Sequence, residues 1–152
     1  MALGGKIRSA TRQAVRQRAA ELCEYCHTSE RWQYVSFTID HVIPLSKGGT
    51  DGLENLALSC FHCNRKKGSR TKAMDPVTAE EVFLYNPRND NWQDHFIWSS
   101  DGLRIVGTTA IGRATVAALD LNRERILNIR SADRSVGRHP PVQDPLQKEQ
   151  RT

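Results

Sequence analysis

No apolar run in the chain approaches the roughly eighteen residues a membrane-spanning helix needs, so no membrane span is expected. The start, MALGGKIRSATRQAVRQR, lacks the apolar stretch of a secretory signal. Because that basic stretch runs straight into a cysteine motif, a mitochondrial presequence is disfavoured and a cytoplasmic location is expected. No internal repeat is visible, and residues 1–20 contain no acid. The apolar fraction is only 38% of 152 residues, which still suffices for one domain with a small appendage. Lysine and arginine total 22 against 17 acids, a net charge of +5, which excludes an acidic solvating protein and favours a polyanionic partner.

Cysteine is scarce but ordered. Four cysteines form two tight pairs, Cys23–Cys26 and Cys60–Cys63. Without an export signal, disulfides are disfavoured, and the spacing C-x2-C-x33-C-x2-C brings two knuckles around one tetrahedral ion, a structural Zn²⁺. A redox CxxC needs one pair only, placed at a helix start after a strand. His62 could compete as a ligand, but the two pairs already fill four positions.

Basic residues cluster twice. Residues 11–22 read as a helix capped by Thr11, with Val15, Ala19 and Leu22 on one side and arginines opposite. Arg12 and Arg16 on that face are candidates for nucleic-acid contact, with a solvated helix face as the alternative. Arg65, Lys66, Lys67, Arg70 and Lys72 follow the second knuckle with no acid among them, which favours phosphate contact. Lys6, Arg8 and Arg18 add to the basic start.

Between the knuckles, residues 34–39 (YVSFTI) read as a strand, with Val42 and Ile43 opening its hairpin partner and Pro44 ending it. Ser46 to Gly52 reads as a loop, Leu53, Leu56 and Leu58 return to a core, and a short helix follows Cys60 to about Gly68. Further on, Asp75–Pro76 opens a helix through Leu84, with Thr78 and Glu81 at capping-box spacing as an alternative start; Asn86–Pro87 ends it. A hairpin is expected from Trp92 to Gly107 around Ser100-Asp101-Gly102, then helices over 109–119 and 123–130. Residues 131–152, with Pro140, Pro141 and Pro145, read as a flexible tail.

Asp40 and His41 lie together at the end of the expected strand. A carboxylate suits a hard divalent ion, and a neutral imidazole can take a proton from water. Asn64 stands at the head of the next helix, where its carbonyl oxygen could reach an ion held by Asp40. Asn55, after the glycine-rich loop, can bridge backbone groups and hold the loop presenting His41; the alternative is a turn or cap residue. His95, in WQDH, has no second ligand cluster around it. Arg88, Trp92 and Trp98 could touch nucleic acid, but tryptophans in a small hairpin more often belong to a core.

The order CEYC at 23–26, DHVIPLSKGG at 40–49 and ENLALSCFHCNRKKG at 54–68 resembles the cysteine-containing branch of the HNH endonuclease family. The resemblance implies an α+β fold with a ββα-metal (His-Me finger) core and a structural four-cysteine zinc site apart from the catalytic ion. It implies His41 as general base, Asn55 as the residue orienting it, and Asp40 and Asn64 as ligands of Mg²⁺ or Mn²⁺. FLYNPR, WQDHF-x-W and IGRATV-x-x-L-x-LNR resemble a C-terminal extension of some bacterial HNH proteins.

The expected organisation is a basic helical arm over 1–22, the nuclease core over 23–72, an α/β extension packed on it over 73–130, and the tail over 131–152. The function expected is metal-dependent hydrolysis of DNA, in double-stranded form, by a single-metal mechanism leaving 5′-phosphates. Its alternative is a non-catalytic zinc-dependent nucleic-acid-binding module, and a third is a zinc protein that binds partners through its extension.

Overall fold

In the computed structural model, residues 7–144 are described; Lys6, Pro145 and the rest of the expected tail's end lie outside them. The chain forms two units, one of residues 7–71 with 86–89 and one of 72–85 with 90–144.

The first unit begins with helix α1 (Ser9–Arg18), which buries Val15. Strand β1 (Thr38–His41) pairs antiparallel with β2 (Leu56–Ser59), and helix α2 (Phe61–Lys67) follows at once. The two strands are short because β2 has only four residues between Asn55 and the Cys60 cap, so pairing ends at Thr38 opposite Ser59. Residues 34–37 therefore lie outside the strand expected over 34–39. Their β-propensity is overridden by Glu30, whose carboxylate takes the Phe37 N–H at 2.6 Å while Arg16 binds it at 3.2 Å.

Val42 and Ile43 likewise do not form the hairpin partner. The Asn55 side chain takes their place in the ladder: its Oδ1 accepts from Ile43 N–H and its Nδ2 donates to Ile43 O, both at 2.9 Å, with Thr50 O a third partner at 2.9 Å. Gly49 packs into the same corner, where a Cβ would collide with the Ile43 carbonyl and the Asn55 amide. Helix α2 is capped by the Cys60 sulfur, which accepts from Cys63 N–H at 3.4 Å. It stops at Gly68, whose φ of +56° favours glycine.

The second unit starts with a hairpin of β3 (Lys72–Met74) and β4 (Glu81–Phe83), not with the helix expected from Asp75 to Leu84. Asp75 turns the chain by accepting from Val77 N–H at 3.0 Å and the Thr78 hydroxyl at 2.9 Å. The Thr78 hydroxyl thus donates into an Asx-type turn, and its oxygen accepts from Glu80 N–H at 3.3 Å within that turn region, with no helix following. Arg113 clamps the buried Asp75 carboxylate at 3.0 and 2.8 Å and holds its pKa well below the usual carboxylate range.

Beyond the one-turn helix α3 (Trp92–His95), the hairpin of β5 (Phe96–Trp98) and β6 (Ile105–Gly107) lies where the turn residues placed it. Helices α4 (Ala110–Ala118) and α5 (Glu124–Ser135) complete the unit, the former capped by Thr109 accepting from Gly112 N–H at 3.0 Å. Trp92, Phe96, Trp98, Ile105, Leu119, Leu121 and Ile126 form its core. The expected boundary at residue 130 is passed: α5 runs to Ser135, and Trp98 Nε1 donates to the fully buried Asp144 at 3.1 Å. Among the described residues, no helix is long and apolar enough to cross a membrane.

Candidate active site and metal centre

The four cysteines come together as the spacing requires. Their sulfurs all lie within 4.8 Å of one another, every one is buried, and none is in a disulfide. Tetrahedral coordination with Zn–S bonds of about 2.3 Å places sulfurs about 3.8 Å apart, and Cys26 and Cys60 are 3.8 Å apart. Burial pushes the Cys23 thiol well up, whereas hydrogen bonds from the other three thiols hold Cys26 well below the usual thiol range. Four buried sulfurs this close together suit a soft divalent ion, so the cluster is a candidate structural metal site. His62 is not part of it.

Cys23 N–H donates to Thr28 O at 2.9 Å and closes the knuckle, and one backbone bond, Glu24 N–H to Leu58 O at 2.8 Å, ties it to the sheet. The Glu24 carboxylate, its pKa raised by burial, accepts from Leu58 N–H at 2.8 Å and pairs with Arg88. Arg88 is therefore a structural partner of the knuckle.

Asp40 and His41 occupy the end of β1, opposite Ala57 and Leu56. Asp40 is 4% exposed. Its Oδ2 accepts from the Tyr25 hydroxyl at 2.7 Å, and the Lys67 ammonium lies 3.4 Å from Oδ1 and 3.3 Å from Oδ2. Lys67 also donates to the His41 carbonyl at 3.1 Å. Burial pushes the Asp40 carboxyl up against the pull of Lys67 and Tyr25, and burial beside Asp40 pushes the Tyr25 phenol well up, keeping it a proton donor.

His41 is half-buried, and its Nε2 lies 2.7 Å from Oδ1 of Asp51 in the loop after Gly49. Asn55 anchors both ends of that loop through Ile43 and Thr50. Asn64, on the first turn of α2, presents an amide oxygen on the helix that Lys67 pins to β1. Taken singly, a carboxylate and an amide oxygen are each hard donors of the kind a hard divalent ion takes. A carboxylate offers about four lone-pair sites, and Oδ1 of Asp40, engaged only by the long Lys67 contact, keeps capacity for a cation.

The basic residues divide. Arg65, Lys66 and Arg70 are exposed; Arg65 lies over the Phe61 ring and Arg70 donates to Lys66 O at 2.6 Å. Lys67, expected among them, is instead 1% exposed and engaged with Asp40. On α1, Arg16 binds Glu30 and the Phe37 carbonyl, and Arg12 donates to Ile7 O at 3.3 Å. Arg18 donates to Leu53 O and Leu56 O, stitching α1 to the start of β2. Lys72 is exposed in the second unit, its ammonium 4.9 Å from the centre of the Phe83 ring. There too, His95 Nδ1 meets the Thr109 hydroxyl at 2.7 Å, and Trp92, which opens α3 and is not part of the hairpin, and Trp98 are both core.

Sequence reasoning missed Asp51, Tyr25 and the inward turn of Lys67. For Asp51 the available signal was an acid closing a glycine-rich loop ten residues after the histidine. For Tyr25 it was an aromatic hydroxyl between two cysteines.

Residues 23–70 match the family described as HNH endonuclease. That segment is an HNH endonuclease domain with a cysteine-rich potential metal site, consistent with the cysteine-containing branch of the family. The match and the cluster together support a nuclease-like function in general. No curated protein matches the chain.

Proposed function

We propose that the protein is a metal-dependent endonuclease hydrolysing DNA phosphodiester bonds, with β1, β2 and α2 as its ββα-metal finger and zinc in the cysteine cluster. The observation that carries this reading is the placement of His41 and Asp40 on one strand end, each held by its own partner, within a domain of the HNH family.

In the proposed reaction His41 is the general base. With Nε2–H donated to the Asp51 carboxylate, the Nδ1 lone pair takes the proton of a water that attacks phosphorus. The new bond joins the water oxygen to phosphorus; the bond to the 3′ oxygen breaks, that oxygen takes a proton from solvent water while His41 later returns its own proton to solvent, and the products are 5′-phosphate and 3′-hydroxyl ends. Asn55 keeps the loop bearing Asp51 in place through its three backbone bonds. A divalent ion held by Asp40 and Asn64 would supply charge stabilisation at the phosphate and at the leaving oxygen.

Supercoiled plasmid incubated with the full chain should become nicked or linear in Mg²⁺ or Mn²⁺ and stay intact in EDTA. Absence of cutting with either ion would favour the non-catalytic zinc-dependent nucleic-acid-binding module.

Double-stranded DNA is the proposed partner, met in the first unit through the exposed basic residues Arg65, Lys66 and Arg70 on and after α2 together with Arg12; Lys72 of the second unit is a separate candidate contact. Arg16 and Lys67 are committed inside the fold and are dropped from this set. Four or five phosphate contacts give log K against log salt a slope of about −4 to −5, so Arg65→Ala with Lys66→Ala should flatten it by about two. Anisotropy of a labelled duplex from about 50 to 300 mM salt measures this; an unchanged slope would place the docking surface elsewhere.

A further inference from the structure

We propose that Tyr25 and Lys67 are positioning residues that together hold the Asp40 carboxylate and so set it for a divalent cation. The inference rests on the reading of Asp40 as a metal ligand given above and extends it to two residues to which neither the family match nor the sequence motifs assign a role at the cation.

Two elements converge on Asp40 of β1. Tyr25 comes from the knuckle between Cys23 and Cys26, and its hydroxyl donates to Oδ2 at 2.7 Å. Lys67 comes from the last turn of α2 and lies 3.3 Å from the same oxygen and 3.4 Å from the other. Its third partner is the His41 carbonyl at 3.1 Å, so one ammonium holds both the side chain of Asp40 and the backbone of the next residue. Tyr25 and Lys67 are each 1% exposed, and Asp40 is 4% exposed.

Two physical arguments favour positioning over simple support. First, burying an ammonium against a carboxylate is a poor way to gain stability, because desolvation offsets most of the attraction and an apolar pair of similar volume often does as well. A charged pair sealed beneath a proposed ligand is better explained by fixing that ligand. Second, Lys67 stands three residues after Asn64 on α2, so the two lie on neighbouring positions of one face. Pinning Lys67 to β1 therefore also fixes where the Asn64 amide stands relative to Asp40. Through Tyr25 the clamp is continuous with the cysteine cluster, which links the structural metal site to the proposed reactive one.

The test is Mn²⁺ binding to the full zinc-loaded chain without DNA, read by electron paramagnetic resonance of the free ion, for wild type, Tyr25→Phe, Lys67→Met and Asp40→Asn. Partners of a ligand typically contribute 10- to 100-fold in metal affinity, so Tyr25→Phe and Lys67→Met should each weaken Mn²⁺ binding about tenfold with zinc content and melting temperature near wild type for Tyr25→Phe. Tyr25→Phe deletes one hydroxyl from a ring that stays packed, and it decides the matter alone should Lys67→Met fail to fold. Unchanged Mn²⁺ affinity in Tyr25→Phe, with Asp40→Asn abolishing binding, would overturn the clamp and leave Asp40 a ligand. Tighter binding in Lys67→Met would make that ammonium a competitor of the ion and overturn its part. Binding unaffected by Asp40→Asn would remove the ligand reading and the clamp together.

Discussion

His41→Ala is expected to lower the rate of strand cleavage by about 10²- to 10⁴-fold, the range that a positioned general base contributes. The same variant should keep its zinc, its melting temperature and its affinity for duplex DNA. The separation follows from how little the side chain does for the fold. His41 is half-buried, and the hydrogen bond of its ring runs to Asp51 on an exposed loop. The loop itself is held by Asn55, not by the histidine, and the backbone of His41 is fixed by its pairing with Leu56 and by Lys67. Truncation therefore removes the proton acceptor from the proposed reaction without emptying a core site or an ion pair inside it. Initial rates on supercoiled plasmid at saturating Mg²⁺ give the comparison, with anisotropy on a short duplex as the binding control. Undiminished nicking by His41→Ala would sink the assignment of the base, and a parallel loss of affinity would make His41 a docking residue.

What the sequence made legible was chemistry that demands a spacing. Two cysteine pairs that meet in one cluster, a cysteine opening a helix and a glycine ending it can each be read from one chain, and all are present in the first unit. The hairpin around Ser100-Asp101-Gly102 was legible for the same reason, since its turn residues are local.

Features decided by tertiary partners were not legible. Lys67 lies in a run of cations that looks uniformly solvated, yet one turn of helix carries it under β1 to Asp40. Asn55 competes with a strand for the polar groups of Ile43, and Glu30 draws Phe37 away from the sheet. Thr78 and Glu81 carry a capping-box signal, but the hydroxyl of Thr78 donates to Asp75, which Arg113 holds from a distant helix. The proline-rich end similarly conceals Asp144, whose buried bond to Trp98 no local pattern announces.

Loss of one cysteine should bring down the first unit as a whole. Structural zinc in small domains binds with an apparent free energy of about 10–16 kcal/mol near neutral pH, against a total stability of about 5–15 kcal/mol for a typical domain. The domain here is arranged to depend on that term. Cys63 is fully buried, and Cys60 both caps α2 and belongs to the cluster, so the helix start and the proposed zinc site are one structure. On the other side, the knuckle of Cys23 and Cys26 leads through Glu24 to Leu58 and through Tyr25 to Asp40. The strands between them pair over only four residues each, too little to hold the hairpin without the ends being joined. Cys63→Ser is thus expected to lose zinc, most of the helical and strand signal of this unit and all cleavage, and a strong chelator should do the same to the wild-type chain. Elemental analysis after dialysis should find about one zinc per chain in wild type, with circular dichroism following the unfolding on chelation. A wild-type chain that stays folded and metal-free after dialysis would refute the four-cysteine site, and so would a mass spectrum showing Cys23, Cys26, Cys60 and Cys63 paired as disulfides.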